Sequence, residues 1–307
     1  MALKSVDIQE NPANALFAVG LLVVVGMVLS GLAFAAIAYI IPSFRDILYH
    51  GAPQTPAYLR AMVGLNMPVM FLLPAMYVAG KYRPGQFRQL TRIDRRPTML
   101  ILFFVLITIL ISQPGLNLLG EWNKSFNLPD SFSGLMEWIQ RTEYDAEALS
   151  KLMIETSSIW ALMANLVVMA VLPGLCEEFL FRGVVQPFFF DWFGRKHLAI
   201  WTTAFIFSFI HFQFFGFIPR LLLGAMLGYV VMYSGSLWSG VLMHTINNAF
   251  VVLISYLQFN HHLSTQIDSM GTANTSWIGY LSLAFTFAVF FVFINKSTTD
   301  VGDKNRM

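Results

Sequence analysis

A long run of apolar residues near the start of the chain constrains its fold more than any other feature. The run extends from Leu16 to Ile41 and contains no charged side chain. About 20 mostly apolar residues are enough to cross a hydrocarbon core of about 30 Å as a helix, and the apolar part of a cleaved secretory signal is shorter. We therefore interpret this run as a retained transmembrane helix.

The composition extends this interpretation to the whole chain. Of the 307 residues, 56% are hydrophobic and 12% are charged, whereas a soluble globular domain carries about 25% charged residues. So few charges cannot cover a water-facing surface, which excludes a soluble enzyme, a disordered chain and a nucleic-acid-binding protein with a basic face. The single cysteine, Cys176, excludes a disulfide framework within the chain and a zinc site built from cysteines.

Seven further apolar runs predict an all-α, polytopic membrane bundle of about eight transmembrane helices. The runs cover 59–80, 98–119, 157–176, 198–212, 217–233, 237–257 and 277–294. The fifth and sixth spans are short and have Pro219 and Arg220 at their junction, so we expect a tight hairpin that does not fully cross the membrane. No long linker separates a second domain, and residues 1–307 are interpreted as one membrane domain.

The charges between the spans predict the orientation of the bundle. The loop from Lys81 to Arg96 is strongly basic and contains Asp94 as its single acidic residue, and such loops stay in the cytoplasm. Both termini are then cytoplasmic, and the acidic loop 120–156 is extracytoplasmic. Within that loop, Ser133–Glu155 is either an amphipathic helix at the outer interface or a solvated segment. We expect a multi-pass integral protein of a bacterial plasma membrane, with membrane lipids as partners and no nucleic acid.

Polar side chains at or inside the predicted spans are the candidates for function, because an ionisable group in the bilayer is costly. Pro173-Gly174, just before the first cluster, predicts a kink that opens space beside its carboxylates. Three clusters on three spans meet this description: Glu177, Glu178 and Arg182; Phe207 and His211; and His244, Asn247 and Asn248.

Helical spacing gives the two glutamates different surroundings. Glu178 and Arg182 are four residues apart and can pair. Glu177 is rotated by about 100° from Glu178, so it is left to face a cavity. The alternative interpretation is that these charges only mark the cytoplasmic end of a span.

Each histidine has a neighbour on the same helix face. Phe207 is one turn before His211 and is expected to pack on its ring, and Asn248 is one turn after His244. Taken singly, these groups are also typical of interfacial histidines and of polar contacts between helices. Their joint occurrence with a carboxylate favours catalysis, because a glutamate can act as a general base while histidine and amide groups steady an oxyanion.

The ordered motifs resemble those of the CPBP intramembrane proteases. This family includes the type II CAAX prenyl endopeptidases and the bacterial Abi proteins of bacteriocin processing and self-immunity. The resemblance covers about 157–257, which we interpret as a CPBP-like catalytic core. The motifs, in chain order at the fourth, fifth and seventh predicted spans, are Glu177-Glu178-x-x-x-Arg182, Phe207-x-x-x-His211 and His244-x-x-x-Asn248.

The resemblance implies a role for each matching residue. Glu177 matches the catalytic glutamate that activates a water. His211 and His244 match the two catalytic histidines, and Asn248 matches the asparagine that stabilises the oxyanion. The supporting positions are Glu178, Arg182, Phe207 and Asn247.

The resemblance implies an intramembrane endopeptidase and leaves the metal open, because the family has been described both as metal-dependent and as a metal-free glutamate protease. Glu177, His211 and His244 are the candidate ligands if Zn²⁺ is bound. The sequence lacks the His-Glu-x-x-His motif of ordinary zincins. The expected substrate is a peptide or a membrane-associated protein, cleaved in protein processing or bacteriocin self-immunity.

Two alternatives stay open. A rhomboid-like serine protease would use Ser236 or Ser239, although Leu237 stands where the first glycine of Gly-x-Ser-Gly is required. These serines are better interpreted as a helix cap and a small-residue packing face. The second alternative is a non-catalytic scaffold or carrier that binds a peptide partner. A carrier should contain helices broken by glycine or proline in corresponding halves, and Pro173-Gly174 alone fits.

Overall fold

In the computed structural model the chain is a bundle of α-helices, which confirms the predicted all-α membrane class. The structure describes residues 11–264, 269–272 and 275–304, and these contain no β-strand. The two ends of the predicted single domain, 1–10 and 305–307, lie outside the described residues. In chain order the helices are α1 (Pro12–Ile40), α2 (Pro42–His50), α3 (Pro56–Met67), α4 (Leu73–Tyr82), α5 (Phe87–Thr91), α6 (Met99–Lys124), α7 (Ser133–Ile154), α8 (Ile159–Asn165), α9 (Leu172–Leu180), α10 (Gln186–Phe193), α11 (Lys196–Phe209), α12 (Phe217–Ser234), α13 (Leu237–Phe259) and α14 (Ser276–Lys304).

Seven helical runs in the described part of the chain are long and apolar enough to cross a membrane, so this is an integral multi-pass membrane protein. The remaining predicted span is the fifth, 198–212, which corresponds to α11, whose 14 residues extend about 21 Å. A core of about 30 Å needs a longer helix than α11, whereas Phe214–Ser234 is long enough to cross it. The prediction of a hairpin that does not fully cross therefore fits α11 and is wrong for α12. The seven runs are Pro12–Ile40, Pro56–Tyr82, Met99–Lys124, Ile159–Phe193, Phe214–Ser234, Leu237–Phe259 and Ser276–Lys296.

The fourth span is longer than its apolar run predicts. The sequence prediction ended it at Cys176, whereas the helical run continues from Ile159 to Phe193. Glu178 and Arg182 pair at 2.7 Å with both side chains fully buried. Because the two charges neutralise each other inside the bundle, they do not end the helix. The predicted end of the fourth span at Cys176 was therefore wrong.

Among the described residues, wide turns of the π type interrupt the helices at three places, and each ends two residues before a proline. They cover 68–72, 166–171 and 181–185. A proline has no N–H for the carbonyl four residues earlier, and its ring crowds that carbonyl. A local widening of the helix accommodates both effects. The distortion predicted at Pro173 therefore takes the form of a wide turn just before the glutamates.

The acidic segment that was predicted to be an amphipathic helix or a loop is a helix, α7. It packs on the connection between α11 and α12, where the Glu143 carboxylate accepts a hydrogen bond from the backbone N–H of Phe215 at 2.7 Å. The ring of Trp138 lies 5.8 Å from that of Phe214. Asn123, in the last turn of α6, donates to the Phe214 carbonyl at 2.7 Å. The connection after His211 is thus held from two helices.

The basic loop after α4 closes one end of the bundle. The Arg92 carbonyl accepts a hydrogen bond from the backbone N–H of Leu237, at the start of α13. Arg83 pairs with Asp191, near the end of α10, at 2.6 Å. The start of α13 and the end of α10 therefore lie at the same end of the bundle as the basic loop.

Candidate active site

A close approach of two helices brings the predicted glutamates and a histidine together. Glu177 and Glu178 lie on α9, and His244 lies on α13. A Cβ atom on Gly174 would overlap the hydroxyl oxygen of Thr245 and would lie 3.1 Å from the Thr245 backbone nitrogen. Glycine is therefore what permits α9 and α13 to pack at this distance.

Glu178 links an arginine on its own helix run to a histidine on α13. Its Oε1 accepts hydrogen bonds from Arg182 Nη1 at 2.7 Å and from His244 Nδ1 at 2.9 Å. An ionised carboxylate only accepts hydrogen bonds, so Nδ1 of His244 carries the hydrogen and Nε2 is directed elsewhere. The predicted Glu178–Arg182 pair is present, and the contact with His244 adds a restraint that spacing within one helix could not indicate.

Glu177 faces the second nitrogen of the same imidazole. Its Oε2 lies 4.0 Å from His244 Nε2, which is beyond a hydrogen bond but within reach of one bridging water. This oxygen is buried and has no hydrogen-bond partner among the described residues. A buried carboxylate oxygen without a partner is costly in a membrane interior and marks a candidate reactive group.

Phe207 lies between the two histidines. Its ring centroid is 5.0 Å from that of His211 and 5.8 Å from that of His244, edge-to-face in both cases. The predicted packing of Phe207 on His211 is therefore present. The His211 Nδ1 donates to the Phe207 carbonyl at 2.6 Å, which leaves Nε2 for a ligand. Within the described hydrogen bonds and ion pairs nothing joins His211 to Glu177. Of the two histidines expected to meet Glu177, His244 faces it directly, whereas His211 is linked to His244 through the ring of Phe207.

The two asparagines of α13 hold neighbouring helices. Asn248 donates to the Met169 carbonyl at 3.3 Å and accepts from Asn247 Nδ2 at 3.2 Å, while Asn247 Oδ1 accepts from Gln113 at 3.3 Å. Because Pro173 has no N–H to offer Met169, Asn248 supplies a donor there. An amide nitrogen has two hydrogens, so Asn248 can hold this carbonyl and still donate to a ligand.

The predicted zinc ligands do not form a three-ligand set. Among the residues that the structure describes, no group of three or more His, Cys, Asp or Glu side chains is arranged to hold a metal ion. Glu177 and His244 approach each other, and because Nδ1 of His244 is bonded to Glu178, Nε2 is the ring nitrogen that faces Glu177. The chemistry considered below therefore uses the side chains alone, and zinc stays a prediction.

Two glycines of α12 support the site, and the sequence analysis missed them. Arg182 Nη2 donates to the Gly224 carbonyl at 2.8 Å, and Gln186 Nε2 donates to the Gly228 carbonyl at 3.2 Å. The two donors are four residues apart and so are the two acceptors, which makes a matched pair of contacts between helices. The small-xxx-small spacing of Gly224 and Gly228 is typical of close membrane helix contacts and could have identified this face.

The serines of the rhomboid-like alternative are engaged in packing contacts. Ser236 precedes α13 as predicted, but its side chain makes no capping hydrogen bond and donates instead to the Arg95 carbonyl at 2.5 Å. Ser239 donates to the Ser236 carbonyl at 2.6 Å. Both residues are fully buried, and no histidine is among their described hydrogen-bond partners. The approach of the basic loop explains why Ser236 donates to a carbonyl there.

We expect Gly174→Ala to force α9 and α13 apart and to lower the melting temperature of the protein in mild detergent. Overpacking of a well-packed contact costs about 1–3 kcal/mol. Gly64→Ala on α3 is the matched control, because a Cβ there would meet nothing within 4 Å, and reduced freedom of the unfolded chain should leave stability unchanged or slightly higher. Equal melting temperatures for the two variants would contradict the close approach at Gly174.

Comparisons with known proteins agree with the motifs. Residues 153–250 match the family model described as type II CAAX prenyl endopeptidase Rce1-like. The chain is 27% identical over 131 residues, 41% of its length, to the uncharacterized protein YpbD of Bacillus subtilis (strain 168). The match spans 61% of YpbD, which is less than two thirds of that protein. No solved structure matched the chain. The resemblance predicted from the motifs is thus confirmed as a similarity: residues 153–250 of this chain match the Rce1-like type II CAAX prenyl endopeptidases.

Proposed function

We propose that this chain is an intramembrane endopeptidase that hydrolyses peptide bonds with a water activated by Glu177. The observation that carries the proposal is the buried, unpartnered Oε2 of Glu177, which faces Nε2 of His244 at 4.0 Å. A water held between these two atoms would have a proton acceptor on one side and an oriented imidazole on the other. Glu177 takes the proton as the water oxygen attacks the peptide carbonyl carbon.

The tetrahedral intermediate requires donors for its negative oxygen. The remaining amide hydrogen of Asn248 is a proposed donor. Because Nδ1 of His244 and of His211 already carries a hydrogen, Nε2 of either ring is a proposed donor only in the doubly protonated form of that ring. Glu177 then returns the proton to the leaving nitrogen as the C–N bond breaks. The products are a new carboxyl terminus and an amine, and Glu177 ends in its starting protonation state.

Glu178 and Arg182 are proposed as positioning residues. Glu178 holds the His244 ring through Nδ1, and Arg182 pairs with the Glu178 carboxylate and holds it in place. A carboxylate that orients a histidine in this way selects the tautomer and the ring orientation, and it stabilises the ring if it gains a proton. The activity proposed for Glu177 therefore depends on the Glu178–Arg182 pair, which does not contact the substrate.

The substrate is proposed to be a peptide or a membrane-associated protein that enters from the side of the basic loop. His244 lies seven residues after Leu237, the first residue of α13, which is about 10 Å along the helix axis. The basic loop packs at that end, and the positive-inside rule assigns the loop to the cytoplasm. Protein processing and bacteriocin self-immunity are the roles that the family resemblance supports.

The proposal is tested by cleavage of a peptide library with the full-length protein in lipid nanodiscs, read by mass spectrometry as new termini. We expect cleavage to persist after treatment with a zinc chelator, because the described His and carboxylate side chains lack a third ligand beside the Glu177–His244 pair. Zinc content is measured on the same samples. One zinc per chain, with cleavage lost on chelation and restored by added zinc, would contradict the metal-free version and support the Glu177, His211 and His244 set.

A further inference from the structure

Two adjoining cavities on the face formed by α11, α12 and α14 differ in character. The first has a volume of about 510 Å³ and is lined almost entirely by apolar side chains, which include Met226, Phe287 and Phe291. The second has a volume of about 550 Å³ and is lined by the polar segment that precedes and begins α11, from Gly194 to Leu198. Neither set of lining residues includes a side chain of the Glu177–His244 site.

One shared side chain and one hydrogen bond join the two cavities into one elongated site. Trp201 lines both of them. The ring nitrogen Nδ1 of His197, in the second cavity, lies 2.8 Å from the hydroxyl of Tyr229, which lines the first. The site therefore has an apolar end among the helices and a polar end at the start of α11.

The polar end is basic, and no described carboxylate pairs with it. In the described part of the chain, neither Arg195 nor Lys196 lies within ion-pair distance of an acidic side chain. The nearby Asp191 is paired with Arg83 at 2.6 Å. The Lys196 ammonium lies 4.6 Å from the centre of the Tyr233 ring, which holds it on this face. Two positive charges are thus available to an anionic ligand.

We propose that this face binds one anionic phospholipid, with its phosphate at Arg195 and Lys196 and an acyl chain in the apolar cavity. Basic pockets between transmembrane helices are suited to anionic headgroups. A tryptophan at the boundary between an apolar and a charged region is typical of the headgroup level, and Trp201 occupies that boundary. The lipid belongs to the leaflet on the side of the basic loop, because α11 begins directly after α10, which ends there.

Lipids that carry bromine on an acyl chain test this site, because bromine quenches tryptophan that it contacts. The full-length protein is placed in nanodiscs that contain equal amounts of brominated phosphatidylglycerol or brominated phosphatidylcholine. The tryptophan fluorescence that comes from Trp201 is obtained as the difference between the wild type and the Trp201→Phe variant. We expect Trp201 to be quenched more strongly by phosphatidylglycerol.

The charge variant Arg195→Gln with Lys196→Gln is expected to weaken the preference for phosphatidylglycerol by about fivefold for each charge removed. Its matched control is Lys124→Gln with Lys151→Gln, two exposed lysines that do not line the cavities, and the preference should be unchanged. Equal quenching of Trp201 by the two lipids, or the same loss in both double variants, would overturn the proposal.

A second measurement separates a bound lipid from another occupant of the same face. Native mass spectrometry of the protein released from detergent is expected to retain one phosphatidylglycerol per chain. Ala288→Phe, which fills the apolar cavity from α14, should remove that retained lipid. If the wild type instead gives the mass of two chains without lipid, and the Ala288→Phe variant gives the mass of one chain, the face binds a second copy. That result would contradict lipid binding.

Discussion

Replacing Glu177 by glutamine is expected to reduce peptide cleavage by about 10²–10⁴-fold, the contribution typical of a positioned general base. Glutamine has nearly the same shape, but its amide cannot take a proton from water at neutral pH. Since Oε2 of Glu177 has no hydrogen-bond partner among the described residues, the substitution breaks no contact that the structure gives to this atom. The variant should therefore keep the melting temperature of the wild type.

The cleavage assay for Glu177→Gln uses the peptide-library measurement described above and compares initial rates at equal amounts of folded protein. The matched control is Ser236→Ala with Ser239→Ala, which should retain cleavage because both hydroxyls donate to backbone carbonyls away from Glu177. Cleavage lost in the serine variant and retained in Glu177→Gln would favour the rhomboid-like alternative. A wild-type protein that binds peptides but yields no new termini would favour the non-catalytic scaffold.

The contacts of the site that the sequence could predict are those between residues one helical turn apart. Glu178 and Arg182 lie four residues apart on one helix, and so do Phe207 and His211, so the spacing alone indicated both contacts. The resemblance added the expectation that these two elements meet His244. The contact of His244 with Glu178 rather than Glu177 lay beyond the sequence, because neighbouring glutamates differ only in rotation and the rotation of α9 against α13 is set by tertiary packing.

The features that sequence analysis missed depend on contacts between helices far apart in the chain. Gly174 looked like a companion of a kinking proline, whereas its main effect is to admit Thr245 of α13. The end of the fourth span was misplaced at Cys176 because a hydropathy count treats Arg182 as exposed. Its charge is instead paired with Glu178 inside the bundle, and the helical run continues past it.

Replacing Arg182 by methionine is expected to have the largest effect on stability. Glu178 and Arg182 are both fully buried and pair at 2.7 Å, so the substitution leaves a carboxylate in an apolar interior without its cation. Removal of one partner of a buried ion pair costs about 3–5 kcal/mol. Unfolding of the purified protein, followed by helical circular dichroism in a denaturing detergent titration, measures the loss.

The double variant Glu178→Leu with Arg182→Met separates a role in stability from a role in positioning. Apolar replacement of both partners is often neutral for stability, so unfolding of the double variant should return most of the way to the wild-type midpoint. Cleavage should not return, because His244 Nδ1 loses the carboxylate that orients its ring. A folded double variant that cleaves at the wild-type rate would contradict the positioning role of Glu178, since the His244 ring would then need no partner at Nδ1 to serve Glu177.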